Sequence, residues 1–280
     1  MRLGRFGVFT SHRTIGEENA AEAARLIEDL GFGALWLGGS PQLSALRPML
    51  AATERIVLAT GIVNIWQSQA ERVVADFAAL EESFPGRVLV GLGVGHPEAH
   101  RPYTRPLSAM RDFLAGLDAA QTPVPPERRC LAALGPKMLE LSAARSLGAH
   151  PYFVPVTHTR LARERLGGAA LLAPELACVL DDDEDSARVK ARRYAKVYLG
   201  LRNYTSNLLR CGFDEQDLAD GGSDRLIDAV IPHGTAADIA VATDRHLSAG
   251  ADHVCVQVVG PSGVPRSAWS ALASALGTGD

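Results

Sequence analysis

Short apolar runs alternate along this 280-residue chain with longer stretches in which apolar residues recur every three or four positions. Runs of the first kind are typical of buried strands, and stretches of the second kind are typical of amphipathic helices. The apolar runs predict eight strands, at residues 6–10, 34–37, 56–61, 88–94, 130–133, 149–153, 176–180 and 253–259. The clearest helical stretches between them are residues 17–30, 69–83, 137–147 and 236–249.

Residues that favour helix ends lie near several of these boundaries. Ser68 with Glu71 three positions later predicts a capping box at the start of a helix. Gly31 and Gly148 each follow a helical stretch directly and predict glycine C-terminal caps.

Continuous apolar strands separated by helices predict a parallel sheet that is covered on both faces. Eight such units within about 250 residues match a closed (β/α)8 TIM barrel, an α/β fold. A doubly wound open sheet is the main alternative. We expect one domain over residues 1–280, with residues 201–235 as a helical insertion near the seventh unit.

Composition narrows the functional classes. The chain is 47% hydrophobic and 21% charged with a net charge of −4, so no broad basic surface points to nucleic acid. No apolar run reaches the roughly 18 residues of a membrane span, and the first residues lack a secretory signal pattern. The four widely spaced cysteines are expected to be free thiols in a reducing cytoplasm, three of them buried in strands.

The residues that follow the predicted strands are the candidates for chemistry, because barrel active sites lie at the carboxyl ends of the strands. These segments contain many glycines and few carboxylates, among them Gly38-Gly39, Gly61-Ile62 and Gly93-Val94-Gly95-His96. This composition favours a flat ligand lying against the backbone over acid–base hydrolysis.

Two glycine-containing motifs require separate interpretations. In "ALGPKMLE", a helix starting at Pro136 with Lys137 beside it would suit a phosphate, although this stretch alone favours a plain turn between strand and helix. In "GLGVGHPE", glycines at alternate positions do not form the dinucleotide fingerprint and instead indicate close backbone contacts within a strand.

His96 is the strongest candidate for proton transfer, because it ends a strand on the functional face. A hydrogen-bonded structural role is the alternative. His96 and His100 are four residues apart, but the motif is not HExxH and no third metal ligand is evident. His12 has a similar position with weaker support, and His150 is expected in the core.

Five segments together resemble the luciferase-like monooxygenase superfamily: "ALWLGGSP", "LATGIVNIW", "GRVLVGLGVGHPE", "LAALGPKMLELSAARSLGAHPYFV" and "GADHVCVQVV". Within it, the chain is most similar to the actinobacterial branch of oxidoreductases that depend on coenzyme F420, a deazaflavin. The second and fourth segments are the most specific to that branch.

The resemblance implies a bulged third strand behind the central ring of the cofactor, often with a non-prolyl cis peptide bond. The matching residues are Thr60, Gly61 and Ile62, and we predict the cis bond between Gly61 and Ile62. It also implies a phosphate site after the fifth strand. The full set of implied cofactor-binding residues is Thr60, Gly61, Ile62, Asn64, Gly95, Gly135, Pro136, Lys137 and Met138.

The implied reaction is hydride transfer between the deazaflavin C5 and a small organic substrate, with His96 as the catalytic proton donor or acceptor. His12, Trp66 and Tyr152, with Asn64, would shape the substrate side of the pocket. The chain departs from a sugar-phosphate dehydrogenase relative, which has a histidine where Gly38-Gly39 stands here and a glutamate at His96. That reaction is therefore not predicted.

Two alternative functions remain open from the sequence. One is an FMN-dependent monooxygenase supplied with reduced flavin by a separate reductase. The other is a barrel that binds a flavin or deazaflavin without catalysis, which the bare Gly38-Gly39 loop favours. The expected partners are a small-molecule substrate and a second copy of the chain in a homodimer, with no nucleic acid and no membrane.

Overall fold

The computed structural model describes residues 1–96, 98, 103–260 and 262–279. Its strands are β1 Phe6–Ser11, β2 Ala34–Gly38, β3 Val57–Gly61, β4 Val63–Asn64, β5 Val88–Gly93, β6 Arg129–Leu131, β7 Gly148–Ala149, β8 Leu171–Leu172, β9 Glu175–Leu180, β10 His233–Gly234 and β11 Val254–Val258. All strand pairs are parallel, as the apolar pattern predicts.

The strands form a closed ring. Starting at β1, the order is β1-β2-β3-β5-β6-β7-β8, and β9 then leads through β11 back to β1. Only two residues separate β8 from β9, so residues 171–180 act as one barrel strand that pairs with β7 at one end and β11 at the other. The predicted (β/α)8 barrel is therefore confirmed, and the open-sheet alternative is wrong.

Helices surround this ring. They are α1 His12–Ile15, α2 Ala20–Asp29, α3 Arg47–Ala51, α4 Ala70–Ser83, α5 Pro106–Asp118, α6 Pro136–Arg145, α7 Val156–Leu166, α8 Glu184–Leu199, α9 Arg202–Arg210, α10 Glu215–Leu218, α11 Asp224–Val230, α12 Ala236–Ser248 and α13 Arg266–Leu276. Among the described residues, no helix is both long and apolar enough to cross a membrane.

The helices α9, α10 and α11 occupy the segment 201–235 where a helical insertion was expected. The starts of α10 and α11 follow local capping rules. The Asp214 side chain accepts from the Asp217 N–H at 3.0 Å, and the Ser223 hydroxyl accepts from the Leu226 N–H at 3.2 Å. Short polar side chains before each helix therefore explain where α10 and α11 begin.

Two predicted helix boundaries are wrong. The cap of α4 is Gln69, without a side-chain hydrogen bond, so Ser68 and Glu71 form no capping box. Gly148 starts β7 instead of capping α6, which ends three residues earlier at Arg145. Gly31, with φ of 82°, does follow the end of α2 as predicted.

The barrel interior explains the buried cysteines and Trp36. Cys130, Cys178 and Cys255 lie on barrel strands and are buried, as predicted, and all four cysteines are free. Trp36 on β2 is fully buried and donates from its indole N–H to Nε2 of His253 at 3.2 Å. The indole N–H of Trp36 therefore has a hydrogen-bond acceptor although it lies among buried apolar side chains.

Candidate functional site

A cavity of about 1750 Å³ opens at the carboxyl ends of the barrel strands. Its walls include Ser11 at the end of β1, Gly38 at the end of β2, Gly61 at the end of β3, Leu180 at the end of β9 and Val258 at the end of β11. Helices α8 and α9 contribute a side wall. The cavity therefore lies on the face of the barrel where the sequence places the chemistry.

Glycines on β2 and β3 make room for the Phe9 ring inside the cavity. A Cβ atom at Gly61 would lie 2.5 Å from Phe9 Cε2, and one at Gly38 would lie 2.6 Å from Cε1 and Cζ. Any larger residue at either position would therefore push against the ring. Similarly, a Cβ at Gly91 would lie 1.8 Å from the Thr60 carbonyl oxygen, so the close strand contacts expected from "GLGVG" are confirmed.

The third barrel strand is interrupted where the sequence predicts. A cis peptide bond joins Gly61 to Ile62, as predicted, and separates β3 from the two-residue strand β4. Beyond it, the Asn64 side-chain oxygen accepts from the Trp66 N–H at 3.0 Å. The Trp66 indole donates to the Val94 carbonyl at 2.7 Å, which ties this turn to the end of β5.

The amino end of α6 faces the same cavity. Helix α6 starts at Pro136, with Gly135 as its cap, so the predicted start is confirmed. Gly135, Pro136, Lys137 and Met138 all line the cavity, and the Lys137 side chain is exposed. A helix amino end with a lysine beside it favours an anionic group.

The loop before α6 is fixed from behind by a buried histidine. His158 Nε2 lies 3.1 Å from the Leu134 carbonyl oxygen. Burial lowers the pKa of His158 to about 4, so the ring is neutral near pH 7 and donates this hydrogen bond from Nε2. The support holds the loop in place without adding charge to the cavity.

His96 lines the cavity and contacts helix α9. Its Nδ1 lies 3.2 Å from Asn203 Oδ1, and its ring centre lies 5.4 Å from that of Tyr204. The Asn203 oxygen accepts, so Nδ1 is the donor in this pair. His100, the second histidine of the motif considered for metal binding, lies outside the described residues, and no candidate metal cluster occurs within them.

Eleven of the thirteen predicted site residues line the cavity, and Thr60 and Trp66 do not. The Thr60 side chain is fully buried, and its hydroxyl bonds to Gly91 O and N, each at 2.9 Å. The Trp66 ring packs against Tyr103, with ring centres 5.6 Å apart. Both residues therefore support the wall from behind.

Sequence reasoning missed most of the aromatic wall. All five tyrosines line the cavity, whereas only Tyr152 was singled out. Tyr194 and Tyr198 belong to α8, a helix with many charged residues. The spacing of four residues between Tyr194 and Tyr198 places both rings on one face of the helix, and this spacing could have indicated an aromatic surface.

The charges that line the cavity have one sign. Arg13, Lys137, Lys190 and Arg193 contribute to its walls, and no aspartate or glutamate is among the described lining residues. Lys190 is paired with Asp181, with Nζ and Oδ2 2.5 Å apart. The remaining cations favour anionic groups of a ligand.

Two buried ionisable residues lie deep in the barrel. His150, expected in the core, is buried but also lines the cavity, and its Nδ1 lies 2.7 Å from the Ala173 carbonyl oxygen. Burial lowers its pKa to about 4. Glu175 is 1% exposed, and burial raises its pKa to about 8, so both residues are mainly uncharged at neutral pH.

Comparisons with known proteins agree with this architecture. The sequence model of the luciferase-like monooxygenase family matches residues 3–121, which cover the barrel from β1 to α5. The resemblance to that superfamily is therefore confirmed over these residues, which are under half of the chain. A search of curated proteins gave no match.

Solved structures share the fold over almost the whole chain. An F420-dependent secondary alcohol dehydrogenase in complex with an F420–acetone adduct is 15% identical, with a TM-score of 0.77 and 99% of each chain covered. The F420-dependent tetrahydromethanopterin reductase of Methanopyrus kandleri is 16% identical, with a TM-score of 0.71 and coverage of 98% of this chain and 99% of that one.

An FMN-bound protein is also similar. The oxygenating constituent of the 3,6-diketocamphane monooxygenase of Pseudomonas putida is 12% identical, with a TM-score of 0.70 and coverage of 98% of this chain and 96% of that one. At such identities the likeness establishes the luciferase-like barrel fold.

Proposed function

We propose that this protein is an oxidoreductase that transfers a hydride between coenzyme F420 and a small organic substrate. The observation that carries the proposal is one continuous cavity that joins the Gly61–Ile62 wall to the amino end of α6. A flat ring system would lie against the Gly61–Ile62 wall, and a phosphate would bind at the amino end of α6.

The residues present fit such a cofactor. Gly38, Gly61 and Gly95 all line the cavity, so a planar ring would meet backbone at the strand ends, beside the ring of Phe9. At the other end, the amide groups of Gly135 and Lys137 have no acceptor among the described residues. A phosphate would satisfy both amides and pair with the Lys137 ammonium.

The size and charge of the cavity support the same interpretation. Pockets of roughly 300–1,000 Å³ hold one drug-sized ligand, so about 1750 Å³ leaves room for a cofactor and a substrate together. The basic lining residues Arg13 and Arg193 add anion-binding capacity beyond the phosphate site. F420 bears carboxylates beyond its phosphate and FMN does not, which favours the deazaflavin.

When bound, the deazaflavin supplies a carbon that accepts or donates a hydride. The protein binds and orients the reactants and provides the group that moves the proton. His96 would move the proton that accompanies the hydride, since it lines the cavity and is oriented through Nδ1 by Asn203. The aromatic and glycine walls exclude water around the reacting groups.

Parallel fluorescence titrations with F420 and FMN test the proposal. We expect tight F420 binding and weak FMN binding. Lys137→Gln should weaken F420 binding about tenfold, because it removes a charge-assisted contact to phosphate. Lys196→Gln is the matched control, since Lys196 is exposed on α8 and is not among the cavity-lining residues.

The other outcomes lead to different conclusions. A preference for FMN, with oxygen consumed on supply of reduced flavin, would replace the proposal with a monooxygenase. Binding of neither cofactor would refute the cofactor site. Tight F420 binding without turnover on a panel of carbonyls, alcohols and enones would indicate a non-catalytic binding protein.

A further inference from the structure

Four tyrosines form a cluster on one side of the cavity. Tyr152 follows β7, Tyr194 and Tyr198 lie on α8, and Tyr204 lies on α9. Neighbouring ring centres are 5.0 to 5.4 Å apart, measured for Tyr194–Tyr198, Tyr198–Tyr204 and Tyr152–Tyr198. Packing of this kind makes a rigid aromatic wall.

The hydroxyl groups of three of these tyrosines meet at one point. The Tyr152 oxygen lies 2.5 Å from the Tyr194 oxygen and 3.1 Å from the Tyr198 oxygen, and it donates to Gln257 Oε1 at 2.8 Å. A phenol has one proton, so Tyr194 and Tyr198 must donate to Tyr152. Their own oxygens therefore keep lone pairs that can accept from a ligand.

The same hydroxyl groups can serve both members of an alcohol–ketone pair. An alcohol O–H would donate to the lone pairs of Tyr194 or Tyr198. A ketone oxygen needs a donor instead, which a rotated hydroxyl proton or the Gln257 amide N–H supplies. Hydride transfer interconverts these two partners, so a subsite that binds both suits the reaction.

The four tyrosine hydroxyl groups of this cluster carry no charge near neutral pH. Burial raises the pKa of the Tyr152, Tyr194 and Tyr204 hydroxyls well above 10, and it raises that of Tyr198 too. Glu175, which interacts electrostatically with all four, is itself mainly protonated. These buried, neutral hydroxyl groups therefore favour an uncharged oxygen as their direct partner over a carboxylate or an ammonium group.

We propose that Tyr152, Tyr194, Tyr198 and Gln257 form the subsite that binds the hydroxyl or carbonyl oxygen of an uncharged, ring-containing alcohol or ketone. The ring specificity follows from the tyrosine rings and from Phe9, whose ring centre lies 5.2 Å from that of Tyr152. This inference rests on the proposed function, because it names the substrate class of the same cavity.

Binding measurements test the subsite without requiring turnover. Cyclohexanol, cyclohexanone and the charged analogue cyclohexanecarboxylate are titrated into the full-length protein, with and without F420, by ligand-observed NMR. We expect the two uncharged ligands to bind more tightly than the carboxylate. Tyr194→Phe and Tyr198→Phe should each weaken their binding about threefold, because each removes one hydroxyl that can bind the ligand. Tyr152→Phe should weaken it about fivefold or more, because the Tyr152 hydroxyl holds Tyr194, Tyr198 and Gln257 in place.

Tyr204→Phe is the matched control, because its hydroxyl makes no hydrogen bond to a described residue, although its ring belongs to the cluster. It should change these affinities by less than about twofold, which is smaller than the effect expected of the other three substitutions. Circular dichroism of each variant verifies folding, and the phenylalanine ring preserves the packing.

Equal effects of all four substitutions, tighter binding of the carboxylate, or no binding of either uncharged ligand would overturn the inference. Failure of the proposed function gives a different result. If F420 does not bind but the uncharged ligands still bind in a tyrosine-dependent manner, the cofactor assignment is wrong and the subsite stands.

Discussion

At the scale of single residues, the cavity depends on one large ring beside positions that lack side chains. Phe9 projects from β1 toward Gly38 and Gly61 on the next two strands, where a Cβ atom would lie within 2.6 Å of its ring. The same ring stacks with His150 at 5.9 Å between centres. Small residues at the strand ends therefore follow from packing as well as from ligand access.

His96 is the residue whose substitution tests the chemistry most directly. His96→Ala should lower kcat by about 100-fold or more, since a positioned acid or base typically contributes two to four orders of magnitude. The F420 dissociation constant should change little. The measurement is the pH profile of kcat with the best cyclic alcohol or ketone, and the variant should lose one ionisation from that profile.

The matched control for this substitution is His233→Ala. His233 lies on β10, outside the cavity-lining residues, with Nδ1 3.2 Å from the Ile231 carbonyl oxygen. Unchanged turnover of His96→Ala over the whole pH range, with cofactor still bound, would show that His96 is not the proton-transfer group.

At the scale of elements, the connection before β3 is held by one carboxylate from α2. The Glu28 side chain accepts from the N–H groups of Glu54, Arg55 and Ile56 at 2.9, 2.6 and 2.7 Å. Burial acts to raise the pKa of Glu28, but these backbone donors outweigh it and hold the pKa below 4.5. The ionised form thus ties the end of α2 to the start of the third barrel strand.

Glu28→Gln should reduce the free energy of unfolding at pH 7 by about 1.5–3 kcal/mol, the usual range for hydrogen bonds to a charged group. Because the folded pKa is lowered, the stabilisation is complete above about pH 4.5 and is lost as pH falls through the lowered value. Urea unfolding from pH 7.5 to 3.5 measures this difference. Asp29→Asn, at the exposed neighbouring position, should show no such pH dependence. If the free energy of unfolding of Glu28→Gln differs from that of the parent by the same amount at every pH, ionised Glu28 does not have this role.

At the scale of the whole molecule, the barrel buries a carboxyl group at its centre. Glu175 Oε2 accepts from the Phe153 N–H at 3.2 Å, and its other oxygen, Oε1, has no hydrogen-bond partner among the described residues. Burial raises the pKa to about 8 despite that one hydrogen bond. Closure of the eight-stranded ring creates this environment, because no single element surrounds the side chain.

Stability should therefore depend on pH through Glu175. Its contribution is complete below the ordinary pKa near 4.5 and is lost as pH rises through about 8. We expect Glu175→Gln to gain stability relative to the parent over this interval, by up to about 1.4 kcal/mol per pH unit, and to level off above it. Chemical denaturation at several pH values measures the free energy of unfolding of the variant and of the parent protein. Glu127→Gln, at an exposed position, is the control. If the free energies of Glu175→Gln and the parent differ by the same amount at every pH, the prediction is wrong.

Much of the fold is predictable from the sequence, because the pattern that carries it is local. The predicted strand at 34–37 differs from β2 by one residue, and the predicted helical stretch at 69–83 differs from α4 by one residue. Two-residue strands such as β4 and β8 escape prediction, since so short a segment has no periodicity. The Ser68–Glu71 capping box fails because the helix starts one residue later than that motif requires.

The sequence alone determined the parallel barrel, the face that carries the cavity and the glycine-lined strand ends, because alternation of apolar strands and amphipathic helices follows from local hydrophobicity. Only the tertiary structure decided which side chains converge. Tyr194 and Tyr198 meet Tyr152 across 42 and 46 residues of chain, and Gln257 joins them across 105. Such contacts depend on how α8 packs over the closed ring, which no local pattern encodes.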